Sequence, residues 1–124
     1  MKAAILGIGK MGTAIAWAMK SLGFEVVGVD ANERAVENFR RHILSGKEGA
    51  FYLTDQNNAD KSMERVLRFE KPDIVISSLP YHQTGEIALW CMSNGLRYCD
   101  LGGRVGLSKE INDWAKKEAT KPVF

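Results

Sequence analysis

Several residue types are scarce in this chain, and each scarcity closes a class of function. Over 124 residues there are two cysteines, two histidines and three prolines. Cys91 and Cys99 cannot build a disulfide framework, and they lack the C-x-x-C spacing of a metal or redox site. They read as free thiols, which fits a reducing, cytoplasmic setting. His42 and His82 stand far apart without a supporting ligand pattern, so no zinc or iron centre is expected. Charge of either sign is not in excess: Lys plus Arg is 17, Asp plus Glu is 15, and the net charge is +2. That balance offers no concentrated basic face for nucleic acid. Trp17, Trp90 and Trp114 have no basic interleaving and read as packing residues on or beside helix stripes. No apolar run is long enough to span a membrane. The segment Met1 to Lys20 has a lysine and then small apolar residues, but Gly7, Gly9 and Gly12 interrupt it and no cleavage site follows. It reads as structure, not as a signal peptide.

What remains is an ordinary globular composition, 45% hydrophobic and 26% charged, in a length that suits one domain. Strand and helix patterns alternate throughout. Lys2 to Leu6 is a short apolar run stopped by Gly7, as in a buried parallel strand. Gly12 to Leu22 carries Ala14, Ile15, Ala18, Met19 and Leu22 at helical spacing, and Gly23 closes it. Phe24 to Val29 is rich in β-branched residues and predicts a second strand. Asn32 caps a helix whose inward stripe is Val36, Phe39 and Ile43. Ser45 to Gly49 is a loop, and Ala50 to Leu53 a weak third strand. Asp60 is expected to cap a short helix bearing Met63, Val66 and Leu67. Ile74 to Ser78 is the fourth strand. His82 to Ser93 is a helix with Ile87, Ala88, Cys91 and Met92 inward, and Leu96 to Cys99 is the fifth strand. A last helix begins near Ser108, and Pro122-Val123-Phe124 suggests a sixth strand. The fold class is therefore α/β: a Rossmann-type, doubly wound parallel sheet of about six strands between two helical layers.

The sharpest feature is Gly7-Ile8-Gly9-Lys10-Met11-Gly12. It follows a strand and opens a helix, which is the context a G-x-G-x-x-G needs to mean dinucleotide binding. Gly7 permits the tight turn, Gly9 lets backbone approach a pyrophosphate, and Gly12 lets the helix press on the strand. Ala16, one turn on, keeps that face small. The N–H groups at the helix start then hold phosphate. Asp30, followed by Ala31, ends the second strand, where an acidic residue accepts from the adenosine ribose hydroxyls and repels a 2′-phosphate. Asp30 thus favours NAD. Lys10 and Arg34 stand near enough in sequence to leave NADP possible. After the fourth strand, Ser77, Ser78, Leu79 and Pro80 suit the nicotinamide half, with small hydroxyl residues where the cofactor passes. Tyr81 and His82 follow, and His82 is a possible proton carrier. After the fifth strand, Asp100-Leu101-Gly102-Gly103-Arg104 places two glycines and a carboxylate-binding arginine where such sheets do chemistry.

Four segments together resemble a family: Ala4 to Gly12, Val29-Asp30, Val75 to Tyr81 and Tyr98 to Gly103. They are similar to the NAD(P)-binding domain of saccharopine dehydrogenase and saccharopine reductase-like proteins, including lysine 6-dehydrogenase-like members. The resemblance implies hydride transfer between nicotinamide and a carbon bearing nitrogen, in an amine or imine of an amino acid. It implies a second, α+β domain elsewhere in a longer enzyme, holding much of the substrate site, any general acid or base, and a homodimer contact. It further implies that Asp55 to Asp60 touches the adenine side, and that Gly102 and Gly103 close beneath the substrate. Alone, such a cofactor domain is expected to bind and not to turn over. The competing expectation is a nucleotide-sensing regulatory domain of the potassium-transport type, which shares the glycine loop and the acidic end of the second strand but catalyses nothing.

Overall fold

The computed structural model describes residues 1–44, 49–80 and 84–101. The elements are β1 (Lys2–Leu6), α1 (Lys10–Ser21), β2 (Glu25–Asp30), α2 (Glu33–His42), β3 (Ala50–Leu53), a single 3-10 turn (Gln56–Asn58), α3 (Ala59–Glu70), β4 (Ile74–Ser77), α4 (Thr84–Ser93) and β5 (Arg97–Asp100). The five strands form one parallel sheet in the order β3-β2-β1-β4-β5. The expected sixth strand at 122–124 and the last helix, with Trp114, lie outside the described residues.

Side chains alternate across β1, and the alternation divides the core. Ala3 and Ile5 face a layer built on Ala16 of α1 and on Val36 and Phe39 of α2. Ala4 and Leu6 face the other layer, Met63, Val66 and Leu67 of α3 with Ile87, Ala88, Cys91 and Met92 of α4. All of β1 after Lys2 is buried, as a central parallel strand covered on both faces must be. Strand order reverses around β1: β2 and β3 extend to one side, β4 and β5 to the other. A crevice therefore opens beyond the carboxyl ends of β1, β2 and β4, where sheets of this kind take their ligands.

Local chemistry explains most boundaries. Asn32 caps α2, its side-chain oxygen accepting from Ala35 N at 3.1 Å. Glu33 opens that helix, and Arg40, Arg41 and His42 close it, each sign at the end of the dipole that favours it. The Phe39 ring occupies the space a side chain at Gly28 would need, with ring carbons 2.6 to 2.8 Å from where that Cβ would lie.

Two expectations are corrected, those for Trp17 and for Asp60. The inward face of α1 is Gly12 and Ala16, flanked by half-buried Ile15 and Met19, whereas Ala14, Ala18 and Leu22 are exposed. The helix meets the sheet through its smallest residues, Gly12 and Ala16, and Ile15 and Met19 pack against the same core beside them. Trp17 is 64% exposed, so it is not a packing residue. Trp90 does pack on the core, and the Arg68 guanidinium sits 5.5 Å from its ring centre. Asp60 is not the cap of α3; Asn58 holds that position without a side-chain bond, and Asp60 sits in the first turn. The 3-10 turn, invisible to a periodicity argument, shifts the start of the helix.

At the opposite end of the sheet Lys2, Tyr52 and Glu70 form one network. Lys2 Nζ donates to Glu70 Oε1 at 2.9 Å, and the Tyr52 hydroxyl donates to Glu70 Oε2. Burial and the Glu70 carboxylate push the Tyr52 hydroxyl up to about 12. Among the described residues no helix is long and apolar enough to cross a membrane.

Candidate dinucleotide site

The turn from β1 into α1 is fixed by glycine. Gly7 sits at φ +82°, a left-handed conformation, and its N–H donates to Val29 O at 2.8 Å. A Cβ at Gly12 would lie 1.8 Å from Gly7 O. Gly12 is therefore a packing glycine: the helix could not reach this position with any side chain there. Gly9 differs. A Cβ built on it meets nothing within 4 Å, yet the residue lines the cleft. Its smallness serves nothing in the protein itself and leaves room for something outside it.

The start of α1 suits an anion. No side chain caps this helix, and its first turn carries no acidic residue. Its opening N–H groups are thus available to an oxygen-rich ligand, aided by the helix dipole. Asp30 stands beside them. Its Oδ2 accepts from Ile8 N at 2.9 Å, and its Oδ1 accepts from Asn32 N at 2.8 Å. Both carboxylate oxygens are held in place by backbone while keeping lone pairs for a ligand.

A cleft of about 1040 Å³ joins these features. Gly7, Gly9, Lys10, Met11, Gly12, Asp30, Ala31, Ser78, Leu79 and Pro80, all expected site residues, line it together. Ile8 does not: its side chain is wholly buried in the core and its N–H is spent on Asp30. Arg34 is likewise absent from the described lining. Gly102, Gly103 and Arg104, with Tyr81 and His82, lie outside the described residues. The Ser78 hydroxyl, expected on the nicotinamide side, donates to Gly7 O. Asp100, at the end of β5, accepts from the hydroxyl of buried Tyr98 at 3.1 Å. Burial, then the Asp100 charge, hold that hydroxyl well above the ordinary tyrosine value.

Sequence reasoning missed one wall of the cleft. Met63 and Glu64 of α3 and Glu86 of α4 line it beside Asn57, Asn58 and Asp60. Of these only the stretch through Asp60 was signalled, by resemblance. The remaining signal was positional: the first turns of α3 and α4 must point at the same end of the sheet as the glycine loop. Asp60 and Glu86 are both first-turn acids. Their side-chain hydrogen bond, with the charges of Asp60 and Glu64, raises the Glu86 pKa.

Comparison with known proteins agrees with this geometry. Saccharopine dehydrogenase (L-Glu forming) from Saccharomyces cerevisiae superposes with a TM-score of 0.76 at 15% identity, covering 98% of this chain and 26% of that one. The yeast methylglyoxal/isovaleraldehyde reductase Gre2, complexed with NADPH, gives 0.75 at 9% identity, over 99% and 52%. An imine reductase from Myxococcus stipitatus, a variant in complex with NAD+, gives 0.62 at 16% identity, covering 97% of this chain and 38% of that one. The chain thus spans between a quarter and about half of these solved chains. At such identities they establish the fold alone, the doubly wound parallel sheet. Residues 3–122 match the family described as saccharopine dehydrogenase NADP binding domain, and the chain belongs to that family of nicotinamide-dinucleotide-binding domains.

Proposed function

We propose that this chain is the cofactor domain of a longer oxidoreductase, that it prefers NAD to NADP, and that the parent enzyme transfers hydride between nicotinamide and a nitrogen-bearing carbon of an amino acid or amine. The bound dinucleotide supplies the hydride chemistry. The residues here bind and orient. Gly9 and the uncapped start of α1 take the pyrophosphate, Asp30 the adenosine ribose, and the strip from Ser78 to Pro80 the nicotinamide half. The substrate class rests on the family alone.

The observation that carries the cofactor preference is the fixed carboxylate of Asp30. An acceptor-only group pinned by two backbone donors suits two ribose hydroxyls and opposes a phosphate on the 2′ oxygen. Asp60, Glu64 and Glu86 line the same cleft, against Lys10 and Lys61. This wall adds to the opposition. The family's description names NADP, so the preference is the claim most worth testing. Titration of the chain with NADH and NADPH, read by tryptophan quenching and nicotinamide emission, is expected to give NADH at least about tenfold tighter, or about 1.4 kcal/mol. Equal or tighter NADPH binding overturns the preference. A folded chain that binds neither overturns the reading as a whole.

A further inference from the structure

The Gly7–Ile8 peptide is gripped at both of its polar ends by side chains from different strands. Its N–H, on Ile8, donates to Asp30 Oδ2 at the end of β2. Its carbonyl, Gly7 O, accepts from Ser78 Oγ at 2.5 Å, just beyond β4. Ser78 is itself anchored, its N–H donating to Leu6 O at 2.8 Å. A glycine at φ +82° does not by itself fix the plane of the peptide that follows it. Turning that plane over would exchange the two ends: Gly7 O would face the Asp30 carboxylate and the Ile8 N–H would face Ser78. The two side chains select one orientation from opposite sides. The same carbonyl is the atom against which Gly12, in the first turn of α1, is packed. The peptide plane and the seat of the helix are therefore one mechanical unit.

We infer that Ser78 is a positioning residue for the pyrophosphate seat: its hydroxyl holds the Gly7 carbonyl, and so keeps Gly9 and the first N–H groups of α1 aimed into the cleft. The inference rests on the dinucleotide reading above. It gives Ser78 a role that acts through the glycine loop, distinct from direct contact with the nicotinamide ribose.

The test compares wild type with Ser78→Ala, using NADH and adenosine as probes, the second followed by amide shifts in nitrogen-15 NMR. Loss of one neutral hydrogen bond predicts NADH binding weaker by about fivefold. Adenosine, which has no phosphate to seat, keeps its wild-type affinity, and the Ile8 amide resonance moves. A folded variant that binds NADH as wild type does overturns the inference. So does an equal loss for NADH and adenosine, and so does a variant that fails to fold, since each makes Ser78 either idle or a plain stability residue. These results differ from failure of the dinucleotide reading, in which wild type itself binds no NADH; that result removes the inference together with its premise.

Discussion

Exchanging Gly9 and Gly12 for alanine, one at a time, should separate ligand space from packing space within one loop. At Gly9 the backbone has φ −70°, open to any residue, and a Cβ meets nothing within 4 Å. Alanine there leaves the fold intact and restricts the unfolded chain, a gain of about 0.4–1 kcal/mol at most. On the proposed function, the added methyl projects into the cleft that Gly9 lines and crowds the pyrophosphate. Losing one charge-assisted bond there costs about 1.5–3 kcal/mol, or about 10- to 150-fold in NADH affinity. At Gly12 a Cβ would fall 1.8 Å from Gly7 O and 2.8 Å from Ser78 Oγ. Alanine there must displace α1 from the sheet, costing about 3 kcal/mol or more, the upper end of overpacking. For a domain of this size that lowers the melting temperature by roughly 10 °C. Thermal melts and NADH titrations on both variants decide the matter. Normal NADH binding by Gly9→Ala refutes the pyrophosphate path over that glycine. An unchanged melting temperature for Gly12→Ala refutes the packing argument.

Two further outcomes follow from the electrostatics. Burial raises the Glu70 pKa, but the Tyr52 hydroxyl and Lys2 outweigh it and leave the carboxyl below its ordinary value. A depressed carboxylate contributes stability that is complete above its unfolded pKa and is lost as pH falls through the folded one. Denaturation of wild type and Glu70→Gln should therefore differ by about 1–3 kcal/mol at neutral pH and converge below about pH 4; a gap independent of pH would refute the network's role. Burial, then the Glu64 charge, push the Cys91 thiol up to about 12, and burial with Asp100 raises Cys99. Iodoacetamide at pH 7.5 should label both slowly in the native chain and rapidly after unfolding, and fast native labelling of Cys91 would contradict its burial.

The parts of the fold legible in the sequence are those where one local cause dominates. β3 falls at Ala50–Leu53, the cap of α2 at Asn32, and the buried face of α4 on Ile87, Ala88, Cys91 and Met92, all as the patterns predict. In α1 the glycine motif marks the buried face through Gly12 and Ala16, and of the apolar stripe Ile15 and Met19 flank that face while Ala14, Ala18 and Leu22 are exposed. A helix pressed tightly on a strand buries its smallest residues, so the motif was the sharper guide to the contact. Asp60 was misplaced because a 3-10 turn has no hydrophobic period to announce it.

The site divides in the same way. The glycine loop was legible because its chemistry is local: a strand, a turn and a helix start within a dozen residues. Asp30 was legible because a parallel neighbour must end beside β1. The Ser78 bond to Gly7 was not, since it joins residues 71 positions apart through a contact only the β1–β4 pairing creates. Glu64 and Glu86 of the acidic wall were hidden for the same cause. They belong to α3 and α4, and it takes the crossover from β3 to β4 and the one from β4 to β5 to bring the starts of these helices to the cleft. Motifs locate the part of a ligand that one segment holds; the remaining contacts depend on which strands are neighbours. In this sheet β1 is the common neighbour of β2 and β4, so residues at the ends of all three meet at one peptide, and the Asp30 carboxylate and the Ser78 hydroxyl bind opposite ends of it.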